Sequence, residues 1–200
     1  LVRDQLLAEF CGAVEVEILR LIDYELIPCR MCGKCFDSLH CADDPAFNQV
    51  FDRLTHADAV IIVSPHYTPI PSKLVMLFEK LEEMVYLRTS VDPNYRFVLY
   101  GKPVGIIAHG GQRDEDARAL SYYKTALLDP IATALSIVHM KVIGAGEGWP
   151  YGVAFGVQDI RLERSSIFLD IRHNWDLVKA RIAPLVRNVA QAALEARPAR

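Results

Sequence analysis

Residues 57–74 read ADAVIIVSPHYTPIPSKL, and this stretch predicts the class of fold. Its first part, AVIIVS (59–64), is a continuous apolar run, which is typical of a parallel strand that is covered on both faces. Prolines then break the pattern in SPHYTPIP (64–71). Apolar residues recur at helical spacing through KLVMLFEKLEEMVYL (73–87). The stretch therefore predicts a strand, a loop and a helix, which is the repeating unit of an α/β protein.

The same alternation continues on both sides of this stretch. Further predicted strands are VEVEILRLI (14–22), PVGIIAHGG (103–111) and HMKVIGAGEG (139–148). Further predicted helices are AFNQVFDRLTHA (46–57), which follows an Asp44-Pro45 cap, residues 114–135 with a break at Pro130, and residues 174–196 with a kink at Pro184. Residues 160–171 fit neither class. We expect one domain over residues 1–200, built on an open parallel sheet with helices on both faces.

Ligands of an open parallel sheet bind beyond the carboxyl ends of its strands. Four predicted loops should gather at that edge of the sheet: 28–44, 64–71, 109–117 and 146–156. The sequence therefore predicts that any metal bound by the first loop lies beside whatever the other three loops hold.

The composition narrows the classes of function. The 200 residues are 52% hydrophobic and 24% charged, with a formal net charge of -3, so a sizeable core is expected but no attraction to nucleic acid or to an anionic membrane. No apolar run approaches the roughly 18 residues of a membrane span. The first residues, LVRDQLLAEF, mix charged and apolar groups, unlike a signal peptide. We expect a cytoplasmic protein with no membrane and no nucleic-acid partner.

The stretch PCRMCGKCFDSLHCADD (28–44) carries a cysteine motif with the spacing C-x2-C-x2-C-x5-C. Its members are the predicted metal ligands: Cys29, Cys32, Cys35 and Cys41. Three cysteines at one even interval favour a 4Fe–4S cluster, since zinc sites usually use two C-x2-C pairs with a longer insert. A zinc site, and free or disulfide-forming thiols, remain alternatives. The fifth cysteine, Cys11, has no partner at metal spacing, and we expect it to be a buried apolar residue.

These motifs together carry a resemblance to a known family. The order AD-x5-SP-x-Y within residues 57–67 resembles a signature of the NADPH-dependent FMN reductase and flavodoxin-like superfamily. The cysteine stretch resembles the compact motif of the iron–sulfur flavoproteins within that superfamily. The similarity runs from about Leu6 to Gly111 and more loosely to the end of the chain.

The resemblance implies a three-layer flavodoxin-like fold with strand order 2-1-3-4-5, FMN at the sheet edge and a 4Fe–4S cluster near the flavin. Carried over position by position, the FMN-binding residues of the first loop would be Ser64, Pro65, His66, Tyr67 and Thr68. Those of the second loop would be His109, Gly110, Gly111 and Gln112. No catalytic acid or base can be identified.

The sequence departs from the family pattern in two places. The first strand and its phosphate-binding loop are not found after Leu1, so we expect them in a segment that precedes it. On the helix after the SPHY loop, positions that hold a lysine and an Asp-Arg pair in many relatives read Val75, Glu79 and Lys80. The Glu79–Lys80 pair could bridge to a neighbouring subunit. Trp149 and Tyr151, in GEGWPYGVAFG (146–156), could cover the flavin, contact a subunit or pack locally.

The resemblance implies an FMN-dependent oxidoreductase in which electrons pass between a cluster and the flavin. Its partners would be a redox protein such as a ferredoxin, or a small-molecule acceptor, and the chain is expected to form a homo-oligomer (dimer or tetramer). One alternative is an NAD(P)H-dependent FMN or quinone reductase without a cluster. Another is a metal-binding domain without catalytic activity.

Overall fold

The computed structural model describes residues 1–161 and 170–196. The helices in this part of the chain are α1 (Val2–Glu9), α2 (Cys35–Ser38), α3 (Pro45–His56), α4 (Ser72–Val91), α5 (Ala117–Tyr123), α6 (Asp129–Ile137) and α7 (Trp175–Ala196). The strands are β1 (Val60–Pro65), β2 (Pro103–Arg113), β3 (Lys141–Ile143), β4 (Val153–Val157), β5 (Asp159–Arg161) and β6 (Asp170–Arg172).

An open parallel sheet forms the middle layer. Strand β1 pairs with β2, and the opposite edge of β2 pairs first with β3 and then with β4, all in parallel. Gly105 of β2 pairs with Ile143, and Ile107 of β2 pairs with Val153. Strands β3 and β4 therefore lie one after the other along β2, in the same position of the sheet, and a loop at 144–152 separates them. The predicted flavodoxin-like α/β fold is confirmed, and these strands fill the last three positions of the predicted order.

Helices cover both faces of the sheet. On one face, helices α3, α4 and α6 pack their apolar side chains against alternate residues of β2, including Val104 and Ile106. On the other face, Ile107 packs against α7 through Val178, Ile182 and Val186. The alternation of β2 between the two cores is what a continuously apolar strand produces when it is covered on both sides.

Residues 14–22, which were predicted as a strand, do not form one. They are irregular apart from a short 3-10 turn at Leu21–Asp23, and the side chains of Ile18 and Ile22 are exposed. Alternating apolar residues form a stable strand only beside another strand that pairs with the backbone. In the described part of the chain, no strand lies beside this segment.

The end of the sheet also differs from the prediction. The strand predicted over 139–148 ends at Ile143, and the backbone of Trp149 and Pro150 then passes so close to Gly144 that a Cβ there would collide with their carbonyl oxygens. Residues 153–157, predicted to be part of a glycine-rich loop, form β4 and are fully buried. The predicted loop 146–156 is therefore half loop and half strand.

The long helix predicted over 114–135 is interrupted earlier than expected. A wide π-helical turn occupies Lys124–Leu128, between α5 and α6. Pro130 cannot donate a hydrogen bond, and in a regular helix its ring would collide with the carbonyl group of Ala126. The wide turn separates these two groups, and such turns are often found at functional sites.

The remaining segments are described in part. The ambiguous stretch 160–171 contains portions of β5 and β6, which pair antiparallel, while residues 162–169 lie outside the described residues. Pro184 lies inside α7. Within the described ranges, none of the helices has an apolar stretch long enough to cross a bilayer.

A buried ion pair fixes the segment that precedes α3. The carboxylate of Asp44 caps α3 by accepting the N–H of Phe47 (2.8 Å), and it also accepts the N–H of Ile27 (3.0 Å). The ammonium group of Lys80 on α4 lies 3.0 Å from the same carboxylate and donates to the carbonyl of Ile27. The side chains of Asp44 and Lys80 are only 1% and 3% exposed, so the pair is almost completely desolvated.

We predict that Lys80→Met lowers the free energy of unfolding by about 3–5 kcal/mol, because the substitution leaves the Asp44 carboxylate buried without its cation. The matched control is Lys34→Met, since Lys34 is 59% exposed, and it should cost less than about 1 kcal/mol. Urea denaturation of both variants measures the difference. Equal losses would show that the buried pair contributes no more than a surface pair.

We also predict a pH dependence from Asp44. Burial raises the pKa of Asp44, but the hydrogen bonds from Phe47 and Ile27 and the Lys80 ammonium group outweigh burial and hold the pKa below its usual value. The stabilisation is therefore complete above about pH 4, the value of an unfolded aspartate, and is lost as the pH falls through the lower folded value. The difference in unfolding free energy between the wild type and Asp44→Asn should shrink on acidification. A constant difference from neutral pH to about pH 3 would contradict this.

Candidate functional site

The predicted metal ligands lie around one recess. It is lined by the segment from Ile27 to Asp43 and, on α4, by Lys80, Glu83 and Met84. All four cysteines of the motif contribute to the lining: Cys29, Cys32, Cys35 and Cys41. Cys32 is exposed and the other three are half-buried. The structure thus brings the four predicted ligands to one place.

Three contacts tie the cysteine segment to the helices beside it. The N–H of Cys29 donates to the carboxylate of Glu79 on α4 (3.0 Å). The backbone of Cys41 both donates to and accepts from the side-chain amide of Asn48 on α3 (2.7 and 2.9 Å). Glu79 and Lys80 lie on the same turn of α4, and both side chains contact residues 27–44 of their own chain.

The middle of the segment is held in the same way. The guanidinium group of Arg88, near the end of α4, donates to the carbonyl of Asp37 (2.9 Å) and lies 4.8 Å from the centre of the Phe36 ring. Between the second and third cysteines, Gly33 has a φ of 71°, a conformation that glycine adopts without strain. The backbone is therefore positioned at both ends of the motif and in its middle.

The electrostatic surroundings of the recess are mixed. Burial, followed by the negative charge of Glu83 and the neighbouring cysteines Cys29 and Cys41, raises the pKa of the Cys35 thiol. At the rim, Arg30 and Lys34 share one carboxylate, Asp43, at 3.9 and 3.5 Å. A thiolate at Cys35 is therefore disfavoured unless a cation binds in the recess.

The recess is narrow in this conformation. Its volume is about 20 Å³, and among the residues described no group of three or more potential ligands is arranged to hold a metal ion. All five cysteines are free thiols. The donor set fits a thiolate-bound group, but the present spacing of the loop does not enclose one. Cys11 is exposed, so the expectation of a buried residue was wrong.

The two loops that carry the other predicted site residues meet at the carboxyl edge of the sheet. The β1–β2 register places Ser64 beside Ala108 and Pro65 beside His109. The N–H of His66 then donates to the carbonyl of His109 (2.6 Å), which continues the ladder one residue beyond β1. Ser64 is buried, while Tyr67 projects into solvent with 72% of its surface exposed. The predicted first and second loops are thus direct neighbours.

Two tyrosines that sequence reasoning missed complete this edge. The hydroxyl group of Tyr123 on α5 accepts the N–H of Gln112 (2.9 Å), and its ring occupies the space that a side chain on Gly110 would need. The hydroxyl group of the adjacent Tyr122 is hydrogen bonded to Nε2 of His66 (3.0 Å). The only signal in the sequence is a pair of aromatic residues on the helix that follows the glycine loop.

His109 has a different environment from His66. Its ring stacks on Phe155 of β4, with 5.5 Å between the ring centres and an interplanar angle of 13°. Burial, and to a lesser degree the nearby His173, lowers the pKa of His109. A neutral ring packed against the core near α7 indicates that the His109 side chain supports the loop, whereas its backbone faces His66.

The cysteine recess and the sheet edge are two separate parts of the surface. The residues that line the recess come from 27–43 and α4, and none comes from the two loops at the sheet edge. Helix α4 joins them, because it begins at Ser72, directly after the first loop, and reaches Lys80 eight residues later. At 1.5 Å per residue this is about 12 Å along the helix. Trp149 packs locally under Lys124, and Tyr151 is half exposed.

Comparison with known proteins agrees with this geometry. The family model described as NADPH-dependent FMN reductase matches residues 2–147. An iron–sulfur flavoprotein of Methanosarcina thermophila is 28% identical over 101 residues, which are 50% of this chain and 49% of that protein. An iron–sulfur flavoprotein of Methanocaldococcus jannaschii is 27% identical over 115 residues, or 57% of this chain and 55% of that protein.

What these matches establish depends on how much of each protein they cover. The chain spans about half the length of the curated relatives it matches. The family model, by contrast, covers α1, the cysteine segment, both loops at the sheet edge and β3. The predicted family resemblance is confirmed, and this protein belongs to the NADPH-dependent FMN reductase family.

Proposed function

We propose that this protein is an FMN-dependent oxidoreductase in which electrons pass between the flavin and a 4Fe–4S cluster held by the four cysteines of the motif. The observation that carries the proposal is that Cys29, Cys32, Cys35 and Cys41 all line one recess, on a chain of a flavin-binding family. FMN supplies one- and two-electron chemistry when bound, and a cluster supplies one-electron chemistry.

The chemistry of the recess supports a cluster over other occupants. Soft thiolate donors select iron–sulfur clusters, zinc or copper(I), and the even spacing of the first three cysteines favours the cluster. Gly33, with its positive φ, leaves room for the backbone to approach inorganic sulfide. The two relatives are named iron–sulfur flavoproteins. Because the recess measures about 20 Å³, the segment between Cys29 and Cys41 would open to admit a cluster.

The sheet edge supports a flavin site. Its loops bring together backbone groups that are close to solvent at Gly110, Gly111 and Gln112, and side-chain donors at His66 and Tyr122. Glycines permit close approach of a flat ring, and fixed donors favour the anionic character that a flavin gains on reduction. We assign the FMN contacts to Ser64–Thr68 and His109–Gln112, with the Tyr122 hydroxyl orienting the His66 ring.

We further propose a cytoplasmic location, because free thiols persist in a reducing compartment. The electron partner would be a ferredoxin-like protein or a small-molecule acceptor, with NAD(P)H as an alternative donor, and the working form would be a homo-oligomer.

A second candidate function is an NAD(P)H-dependent FMN or quinone reductase without a cluster. The match to the NADPH-dependent FMN reductase family model over residues 2–147 supports it. In that case the thiols would contribute to the packing of residues 27–43 on α4 and not to electron transfer.

The first test is cofactor content after anaerobic purification. We expect about four irons and four sulfides per chain, with a flavin absorption spectrum. Cys32→Ala should lower the iron content well below half, because it removes a ligand, and should leave the flavin bound. The matched control is Cys11→Ala, which removes an exposed thiol outside the motif and should leave both contents unchanged.

Flavin without iron in the wild type would reject the cluster and support the simple reductase. Equal iron loss in the Cys32 and Cys11 variants would reject the assignment of ligands. Neither iron nor flavin, after reconstitution with both, would reject the whole proposal.

The second test addresses the flavin site through Gly110. In Gly110→Ala the new methyl group collides with the Tyr123 ring, so the second loop must move. We predict that flavin affinity falls at least tenfold, which corresponds to about 1.4 kcal/mol. Gly12→Ala is the control: Gly12 has a positive φ (75°), so alanine is strained there, but it has open space around it and lies outside the site, and any loss of stability should leave flavin affinity unchanged. Fluorescence titration with FMN measures both, and unchanged affinity in Gly110→Ala would move the flavin away from this loop.

A further inference from the structure

A second pocket is lined in part by α5, and the inference drawn from it does not depend on the proposed function. One wall is the π-helical turn Lys124–Leu128 with its flanking residues, and the other is the loop 148–152 that separates β3 from β4. Its cavity measures about 230 Å³. The polar and aromatic residues that line it are Ser121, Lys124, Thr125, Asp129, Trp149 and Tyr151. Pockets for drug-sized ligands measure about 300–1,000 Å³, so this one suits a ligand of one or two rings.

The loop wall is built by a tight turn that fixes Trp149. The N–H of Trp149 donates to the carbonyl of Gly146 (3.1 Å), and its carbonyl accepts the N–H of Ala145 (2.9 Å). Gly148 has a φ of 78° and Gly152 a φ of 135°, which are conformations that other residues rarely adopt. A Cβ on Gly152 would also collide with the carbonyl oxygen of Ile106. The aromatic wall is therefore held by the backbone and does not depend on a ligand.

A positively charged group is held at the mouth of this pocket. The Nζ atom of Lys124 lies 4.2 Å from the centre of the Trp149 ring and donates to the carbonyl of Gly148 (2.7 Å). An ammonium group has three N–H donors, so two remain after this bond. Among residues 1–161 and 170–196, no carboxylate lies within 4.0 Å of Lys124. The lysine is thus ordered by neutral partners and keeps its charge available.

The pocket also contains one negative charge. Asp129 lines it from the first turn of α6, one π-helical turn after Lys124, whose backbone carbonyl accepts the N–H of Asp129. A ligand with one anionic group can place that group at Lys124 and turn an uncharged part toward Asp129. A second anionic group on the ligand adds repulsion from the Asp129 carboxylate, and this disfavours a dianion relative to a monoanion.

We propose that this pocket, defined by Lys124, Trp149 and Tyr151, binds a small planar aromatic monocarboxylate. The carboxylate pairs with the ammonium group of Lys124, and the ring packs on the aromatic side chains, where tyrosine and tryptophan offer large rigid surfaces. The hydroxyl group of Ser121 lies on the same wall and can donate a further hydrogen bond to the carboxylate, whereas that of Thr125 already donates to backbone carbonyls of α5. Asp129 makes the pocket select against dicarboxylates.

Isothermal titration calorimetry of the purified full chain with 2-naphthoate tests the proposal without using flavin or iron. We expect a Kd of about 1 mM or tighter, as befits a ligand of about 13 non-hydrogen atoms. The neutral analogue 2-naphthamide and the dianion 2,6-naphthalenedicarboxylate should each bind at least about tenfold more weakly.

Variants locate the site. Lys124→Met should weaken 2-naphthoate at least about tenfold, Lys124→Arg should largely preserve binding, and the control Lys179→Met, an exposed lysine on α7, should change nothing. Asp129→Asn should narrow the preference for the monoanion over the dianion. Thermal denaturation of each variant checks that it is folded.

No binding of 2-naphthoate, equal binding of 2-naphthamide, or full affinity in a folded Lys124→Met variant would each overturn the proposal. None of these results bears on the iron and flavin contents, so this inference and the proposed function fail separately.

Discussion

The buried pair between Asp44 and Lys80 is the constraint on which the candidate metal site depends. Two charges out of water are costly, and they are tolerated here because each also makes hydrogen bonds: Asp44 accepts from the backbone of Ile27 and of α3, and Lys80 donates to Ile27. Since Ile27 and Asp44 are the two ends of the cysteine segment, one lysine closes that segment into a loop against α4. The cysteines line a common recess as a consequence.

Helix α4 links this recess to the sheet edge. It starts where the first loop ends, and its apolar residues pack against the same core as β2. The β1–β2 register then places the backbone of His66 next to that of His109. The close packing of Tyr123 on Gly110 fixes the position of the second loop. A shift of α4 would therefore move both parts together. In an electron-transfer protein, such a rigid connection would keep the separation of two cofactors constant.

Whether a prediction from the sequence was right depends on how far apart along the chain the interacting residues lie. The apolar run at 59–64 and the helical spacing at 73–87 were predicted because covered strands and amphipathic helices leave local patterns. Residues 14–22 have a strand pattern but no paired neighbour in the described chain, and β4 was missed because five buried residues followed three glycines that indicated a loop. The sequence left a neighbouring subunit open as the partner of Glu79 and Lys80, because nothing local reveals that Asp44 lies opposite Lys80.

The amino-acid sequence by itself determined the α/β class, the family, the four cysteines and the two loops, since each of these is written in residue types at short, fixed spacing. Only the tertiary structure decided that Lys80 serves Asp44, that Tyr122 and Tyr123 stand at the sheet edge, that His109 turns toward Phe155, and that Lys124 lies over Trp149. The partners in these contacts are 11 to 56 residues apart along the chain. Their meeting is set by sheet register and helix packing, which no local pattern records.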